Sequence, residues 1–193
     1  MADLLFTNLW VGPLLCFALW LSDYELTVVV ARLYKAQDKV VFQGSYELNP
    51  LTQRDVDALR RIGFRILFKP LYIASFVAVL GAIFRSTNGR ASLYALGLGM
   101  FVLVQLAIHV RHFQSWYSFR RVIPTAKGRI EYPRGGMLRS SALQLVLFAV
   151  LFLVLYVVTG SLFILGGAAM CCVNAMIHYR LALKHDASQT KAA

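Results

Sequence analysis

The sequence predicts an all-α protein, a bundle of five membrane-spanning helices. Of its 193 residues, 59% are hydrophobic and 15% are charged, whereas soluble domains have about 45–50% apolar and about 25% charged residues. The apolar residues lie in long runs of the length that a bilayer core requires, about 17–25 residues. The basic residues lie in the connections between these runs, and rich and poor connections alternate, as the positive-inside rule describes.

Five spans account for almost the whole chain, so we expect a single transmembrane domain over residues 1–193. The spans are expected at about residues 9–34, 62–84, 91–112, 141–158 and 161–182. The connections 35–61 and 113–140 are rich in Lys and Arg and are therefore expected in the cytoplasm, with the amino terminus outside and the carboxyl terminus inside. We interpret the chain as a multi-pass protein of a cell membrane, the cytoplasmic membrane of a prokaryote. Because the topology explains the net charge of +11, no nucleic-acid partner is expected.

The first span has two interpretations. Either the helix ends at Ser22 and an amphipathic segment follows, or one long tilted helix covers about Leu9 to Tyr34. We favour the long helix, because apolar residues continue well beyond Ser22. It would place Asp23 and Thr27 within the membrane, one turn apart on the same helical face.

The first connection contains Glu47 and the dipeptide Asn49-Pro50. Proline favours an extended conformation at Asn49. Thr52, followed three residues later by Asp55, has the pattern of a helix N-cap with a capping-box partner. We therefore expect the second helix to begin at Thr52 and to continue into the membrane.

Lys69 lies inside the second apolar run and is followed by Pro70. A lysine at this depth either extends to the membrane surface or pairs with an acidic group. Proline frees a carbonyl one turn back, which adds acceptors near this depth. We expect Lys69 to pair, directly or through water, with Asp23 or Glu47.

The third and fifth spans also contain polar residues at helical spacing. These residues are expected at the same depth in the membrane as the polar residues of the first and second spans. An ionisable group near the centre of a membrane helix costs at least about 2.5–3.5 kcal/mol on insertion scales. Their convergence on one leaflet predicts a polar site in the cytoplasmic half of the bundle. Each residue also has a simpler interpretation as an interfacial side chain, a snorkelling lysine or a turn. The candidate residues are Asp23, Thr27, Glu47, Asn49, Lys69, Gln105, His109, His112, Asn174 and His178.

Metal binding is weakly indicated. His109, His112 and His178 are candidate ligands, but the His-x-x-His spacing lacks the glutamate of a metalloprotease motif. Cys16 and the adjacent Cys171 and Cys172 do not have metal-site spacing. We therefore expect no metal site, and the sequence indicates no particular cofactor.

The connection 113–140 mixes aromatic and basic residues. An interfacial segment that follows the positive-inside rule is the simpler interpretation. The alternative is a surface for anionic lipid headgroups, which basic clusters beside membrane helices attract. The residues of this surface would be Arg120, Arg121, Lys127, Arg129 and Arg134.

The first third of the chain resembles an uncharacterised prokaryotic family of small integral membrane proteins. The resemblance lies in Asp23-x-x-x-Thr27, Glu47-x-Asn49-Pro50 and Lys69, which occur in this order. It implies a polar site built from these residues within a helical membrane protein. The family contributes no established activity.

Three functions fit these observations. The first is a small ion- or proton-coupled carrier, supported by the buried carboxylate, the lysine and the histidines; for so small a protein, a homo-oligomer would complete the pathway. The second is a membrane enzyme that acts on a lipid-linked or phosphate-bearing substrate at the cytoplasmic face. The third is a structural or assembly subunit whose polar residues join helices. We rank the carrier first.

Overall fold

A computed structural model describes residues 6, 8–60, 64–86 and 91–190. These residues are mainly α-helical, and five of the helices are long and apolar enough to cross a membrane. The all-helical fold class with five candidate spans is therefore confirmed. The elements are α1 (Val11–Lys35), β1 (Val40–Phe42), α2 (Pro50–Asp57), α3 (Phe64–Ser86), α4 (Ala91–Tyr117), β2 (Ile130–Tyr132), α5 (Arg134–Thr159) and α6 (Leu162–Thr190).

Helix α1 is the long helix of the second interpretation. It passes Ser22 without a break and ends at Lys35. Arg32 and Lys35 lie in its last turn, where positive charge interacts favourably with the helix dipole. Asp23 and Thr27 are therefore helical residues well before the end of α1.

Helix α2 corrects the prediction that the second helix begins at Thr52. Its N-cap is Asn49, whose side chain accepts a hydrogen bond from the Leu51 amide, and Pro50 is its first residue. Asparagine is among the best N-caps, and proline fits the first helical position because its missing N–H has no helical partner there. The helix ends before Leu59, which has a positive φ of 51°, so α2 is separate from α3.

Helix α4 extends beyond residue 112, where the third span was expected to end. It reaches Tyr117, and a π-helical turn at Ser118–Val122 and a 3₁₀ turn at Ile123–Thr125 follow directly. Phe119 explains the extension, because its ring is buried against residues of α1 and β1. This contact lies past the apolar span, so hydropathy did not locate the end of the helix.

Helices α5 and α6 are also longer than predicted. Helix α5 begins at Arg134 instead of near residue 141, and α6 continues to Thr190 instead of ending near 182. An ion pair between Arg139 and Asp186 joins these two extensions. The connection expected at 113–140 is thereby reduced to residues 126–133.

The helices pack around α4, which contacts α1 and α3 on one side and α6 on the other, while α5 packs against α6. Two clusters of buried apolar residues hold the helices in this arrangement. One joins α4 to α5 and α6, and the other joins α4 to α1 and α3. We call the second one the three-helix apolar cluster; it consists of Cys16, Val77, Tyr94, Leu98 and Val102.

Glycine allows α4 and α6 to approach at the backbone. A Cβ atom at Gly99 would overlap the Phe163 carbonyl oxygen, and one at Gly166 would overlap the Leu96 carbonyl oxygen. Small residues at helix contacts allow such an approach within a membrane. Gly97 is different, because a Cβ there would meet Leu80 at an ordinary 3.6 Å.

A short parallel pairing of β1 with β2 joins the two long connections, with Val41 opposite Glu131. The Lys39 ammonium reinforces it by donating to the Pro124 and Ala126 carbonyl oxygens, at 2.8 and 2.7 Å. Both connections therefore lie at one end of the bundle, which we call the loop end. The strands have three residues each, and the hydrophobic pattern did not predict them.

Candidate functional site

The central polar contact joins α1 to α4 near the loop end. The Nε2 atom of His112 lies 2.9 Å from Asp23 Oδ1 and 3.1 Å from Thr27 Oγ1. The Asp23 and His112 side chains are 20% and 16% exposed, and Thr27 is buried. The helical face that the sequence assigned to Asp23 and Thr27 thus faces the bundle, and His112 shares their site.

The hydrogen atoms in this contact follow from the partners. Thr27 donates its hydroxyl proton to the Asp23 backbone carbonyl at 2.9 Å. Its oxygen is then an acceptor for His112, and the carboxylate oxygen of Asp23 is an acceptor too. His112 therefore carries a proton on Nε2.

Asp23 Oδ1 is not fully satisfied by this arrangement. The atom is buried and has no well-aligned hydrogen bond, although His112 Nε2 is 2.9 Å away. The N–H of His112 is directed at Thr27 Oγ1, so it does not point at the carboxylate oxygen. Asp23 thus has a buried acceptor that a proton or a donor group could occupy.

His109 makes a second contact with α1, one turn before His112. Its Nδ1 atom lies 2.7 Å from the Gln105 carbonyl oxygen, which only accepts, so Nδ1 carries the proton. The Nε2 atom lies 2.7 Å from Ser22 Oγ, whose hydroxyl is also 3.0 Å from the Leu19 carbonyl oxygen. A neutral ring with its proton on Nδ1 can only accept at Nε2, so the hydroxyl then donates to His109 and not to Leu19. His109 and His112 therefore have opposite tautomers.

Glu47 reaches this region from the connection between β1 and α2. Its carboxylate accepts a hydrogen bond from the Asn49 amide at 2.7 Å. Burial raises the pKa of the Glu47 carboxyl; the bond from Asn49, the His112 charge and the Lys69 charge oppose this shift, and the Asp23 charge adds to it. Glu47 is therefore within electrostatic range of the site on α1 and α4, whereas Asn49 serves as a helix cap.

Lys69 enters from α3, with its ammonium 4.1 Å from the centroid of the Trp20 ring. It interacts electrostatically with Asp23 and Glu47. Among the residues that the structure describes, neither carboxylate forms a direct ion pair with it. The direct form of the predicted pairing is therefore wrong, because the ammonium is held on an aromatic face instead.

Two further residues of the site were not among the sequence candidates. Arg111 is partly buried and donates from Nε to Gln144 Oε1 at 2.8 Å. Tyr46 is hydrogen-bonded to Ser115, and burial raises the pKa of its phenol to about 12. Both interact electrostatically with Asp23. Nothing in the local sequence pattern distinguishes Arg111 from the other basic residues near the ends of the spans, or Tyr46 from the other aromatic residues.

Gln105 and Trp20 extend the polar region deeper into the bundle. Gln105 is 0% exposed. Among the residues that the structure describes, neither of its side-chain amide atoms has a hydrogen-bond partner, and the buried indole nitrogen of Trp20 has none either. Trp20 was missed, although it lies three residues before Asp23 on the same helical face.

The remaining candidates lie elsewhere. His178 Nδ1 is 2.7 Å from Ser141 Oγ, between α6 and α5. Asn174 donates to the Met170 carbonyl of its own helix at 3.0 Å. Within the described ranges, no group of three or more His, Cys, Asp or Glu side chains could hold a metal ion. The three candidate histidines instead bond to hydroxyls of neighbouring helices, His109 and His112 to α1 and His178 to α5.

The five residues proposed for the basic surface differ in their surroundings. Arg120, Arg121, Lys127 and Arg129 are exposed, and Arg129 pairs with Glu131 at 3.0 Å. Arg134 is different, because its guanidinium is partly buried and bonds to Gln53 Oε1 at 3.4 Å. It therefore holds two connections together.

An open groove of about 550 Å³ is lined by the end of α1, the first connection and α2. Its wall includes Tyr34, Lys35, Gln53 and Asp57, and Tyr46 borders both the groove and the polar site. The groove walls do not include Asp23, His112 or Lys69. We place the chemistry with the buried groups, because their polar atoms lack partners.

Comparison with known proteins gives no further assignment: no family model matches the chain, and no curated protein or solved structure matches it significantly.

Proposed function

We propose that this protein is a small proton-coupled carrier whose exchange site is the Asp23–Thr27–His112 contact. One observation carries the proposal: a buried carboxylate oxygen of Asp23 lacks an aligned hydrogen bond while a histidine nitrogen lies 2.9 Å away. Imidazole exchanges protons near neutral pH, and carboxylates and histidines within membrane helices mark proton pathways. A purely structural contact would be expected to satisfy the carboxylate fully.

The two ends of the bundle differ in the way that a carrier requires when its site is open to neither side or to one side only. The polar groups lie toward the loop end, and the three-helix apolar cluster fills the space between α1, α3 and α4 beyond them. Access from the loop end requires movement of the segment that carries Tyr46 and Glu47. Access from the other end requires separation of the apolar cluster. The two barriers are thus on opposite sides of Asp23.

The positive-inside pattern assigns the loop end to the cytoplasm. The amino terminus then lies outside and the carboxyl terminus inside, in a prokaryotic cytoplasmic membrane. The exposed side chains of Arg120, Arg121 and Lys127 would face anionic lipid headgroups. A homo-oligomer would add the helix surfaces that a five-span carrier lacks, and no nucleic-acid partner is involved.

Proton coupling can be measured in proteoliposomes that contain a trapped pH-sensitive dye. A panel of cations, anions and neutral solutes is added outside, and proton entry is followed. We expect at least one solute to drive proton movement in the wild type. Asp23→Asn should reduce it to the level of protein-free liposomes, because the amide retains the shape but not the exchangeable carboxyl proton.

Asp38→Asn is the matched control, because Asp38 is an exposed carboxylate in the same connection as Glu47. It should transport as the wild type does. The carrier proposal is wrong if no solute moves protons, or if Asp23→Asn and the wild type move them equally.

A second candidate function is a membrane enzyme acting on a lipid-linked or phosphate-bearing substrate. The supporting observation is that Glu47 is delivered by a connection at the loop end and shares an electrostatic environment with Asp23 and His112. Two carboxylates and a histidine suit acid–base chemistry. Turnover of such a lipid by the purified protein, with no solute-driven proton movement, would favour the enzyme.

A further inference from the structure

Helices α1, α3 and α4 bring three polar side chains to one level of the bundle. On α1, Trp20 lies one turn after Cys16, and on α4, Gln105 lies one turn after Val102. Both preceding residues belong to the three-helix apolar cluster. Residues at such spacing share a helical face, so Trp20 and Gln105 follow the cluster toward the loop end.

Lys69 reaches the same level from the opposite chain direction. It lies two turns before Val77, a member of the cluster, and Ile73 between them also packs against it. The contact of its ammonium with the Trp20 ring at 4.1 Å fixes the level directly. The contacts between α1 and α4 place Gln105 at a similar level. Both helices run toward the loop end, and Ser22 contacts His109 while Thr27 contacts His112. Counting back along both helices from these contacts puts Gln105 nearly level with Trp20. We call Trp20, Lys69 and Gln105 the polar layer.

The polar layer contains groups that lack partners. The indole nitrogen of Trp20 and both amide atoms of Gln105 are buried without hydrogen bonds. In the described part of the chain, the Lys69 ammonium forms neither a hydrogen bond nor an ion pair; it contacts the Trp20 ring and interacts with Asp23 and Glu47 at longer range. Such groups are costly to leave unpaired within a membrane, so a bound species is expected to satisfy them.

The chemistry of these groups selects the species. The Lys69 ammonium, the Trp20 N–H and the Gln105 amide nitrogen are donors, and the free acceptor among the three residues is Gln105 Oε1. A cation would meet the ammonium at close range. A small acceptor-rich anion satisfies the donors and compensates the charge.

We propose that the polar layer binds a small anion, a carboxylate or an inorganic oxyanion, through Lys69, Trp20 and Gln105. The proposal rests on the proposed function in that it names the class of the transported solute. Of the charged groups near the layer, Asp23 from α1 and Glu47 from the first connection interact electrostatically with Lys69. Asp23 in turn lies 2.9 Å from His112 of α4 and interacts with Arg111 of α4 and Tyr46 of the first connection. His109 lies one turn after Gln105 on α4, and His178 of α6 interacts with Arg111.

These charges couple the anion to protons. With both carboxylates ionised, Asp23 and Glu47 balance Lys69 and Arg111. Burial raises the pKa of Glu47, and proton uptake by this carboxylate leaves the layer with excess positive charge, which favours the anion. Anion and proton therefore enter and leave together, so binding should strengthen as the pH falls.

Trp20 supplies the readout. In detergent-solubilised protein with Trp10 and Trp116 replaced by Phe, titration with formate, acetate or phosphate should produce a saturable change in Trp20 fluorescence. Gluconate at equal ionic strength is the control for salt and should have no such effect. Lys69→Met should weaken binding by on the order of tenfold or more, the loss expected for a hydrogen bond to a charged group, and the exposed Lys184→Met should not.

Gln105→Leu separates binding from folding. Removal of an unpartnered buried amide should raise the melting temperature of the anion-free protein while it weakens anion binding. A structural glutamine would instead lower the melting temperature on replacement. The proposal is overturned if no probe anion produces a saturable change, or if Lys69→Met and Gln105→Leu bind as the parent does, with water alone then filling the layer.

The two proposals fail in distinguishable ways. Anion binding in detergent without proton movement in proteoliposomes would support the anion site and contradict the carrier. Proton movement driven by a cation or a neutral solute, without anion binding, would support the carrier and contradict the anion site.

Discussion

Gly99→Ala should destabilise the bundle by about 3 kcal/mol or more, at or above the usual upper cost of overpacking. A methyl group at this position would overlap the Phe163 carbonyl, and the obstacle is backbone, which cannot rotate away as a side chain can. Helices α4 and α6 would have to separate. Because α4 also contacts α1 and α3, the loss should spread to the polar site.

Gly97→Ala is the control on the same helix. Its methyl group would meet only Leu80 at 3.6 Å, and alanine is favoured over glycine in a helix by about 1 kcal/mol. The two variants should therefore differ in sign when reversible unfolding is followed in detergent. Equal effects would show that α4 and α6 do not approach through Gly99.

We expect the wild type to lose stability as the pH rises, and we expect Glu47→Gln to be free of this loss. Burial raises the pKa of Glu47 in the folded protein, so the folded state favours the protonated acid. Stability is then highest below the ordinary glutamate pKa of about 4.3 and falls as the pH rises from there through the raised value. Glutamine keeps the acceptor for the Asn49 amide without the charge.

Melting temperatures across this pH range would check the effect. The variant should match the wild type in acid and exceed it at neutral pH. Glu131→Gln is the matched control, because Glu131 is exposed, and it should follow the wild-type profile. A wild-type stability that rises with pH, or a variant less stable at neutral pH, would contradict the buried position of Glu47.

The spans could be predicted because long apolar runs and helical spacing are local properties of the chain. The face shared by Asp23 and Thr27, and that shared by Gln105, His109 and His112, were likewise readable and do meet. The ends of α4, α5 and α6 were not, since the contacts that extend them lie outside the apolar spans.

The contact partners of individual residues were the other feature that the sequence could not predict. The sequence suggested an acidic partner for Lys69, but the adjacent tryptophan face supplied the contact. The β1–β2 pairing joins segments about ninety residues apart, and no local pattern selects it. Arg111 and Tyr46 entered the site for the same reason, because their positions depend on how the connections fold back over the helices.

The most direct test of the proton-exchange site is nitrogen NMR of the protein labelled with ¹⁵N-histidine. The chain has four histidines, and single His→Gln variants assign their signals. The account predicts that neutral His112 carries its proton on Nε2 and neutral His109 on Nδ1. Asp23→Asn should shift the His112 signals and leave those of His109 largely unchanged. Neutral His112 protonated on Nδ1, or His112 signals indifferent to Asp23→Asn, would contradict the account.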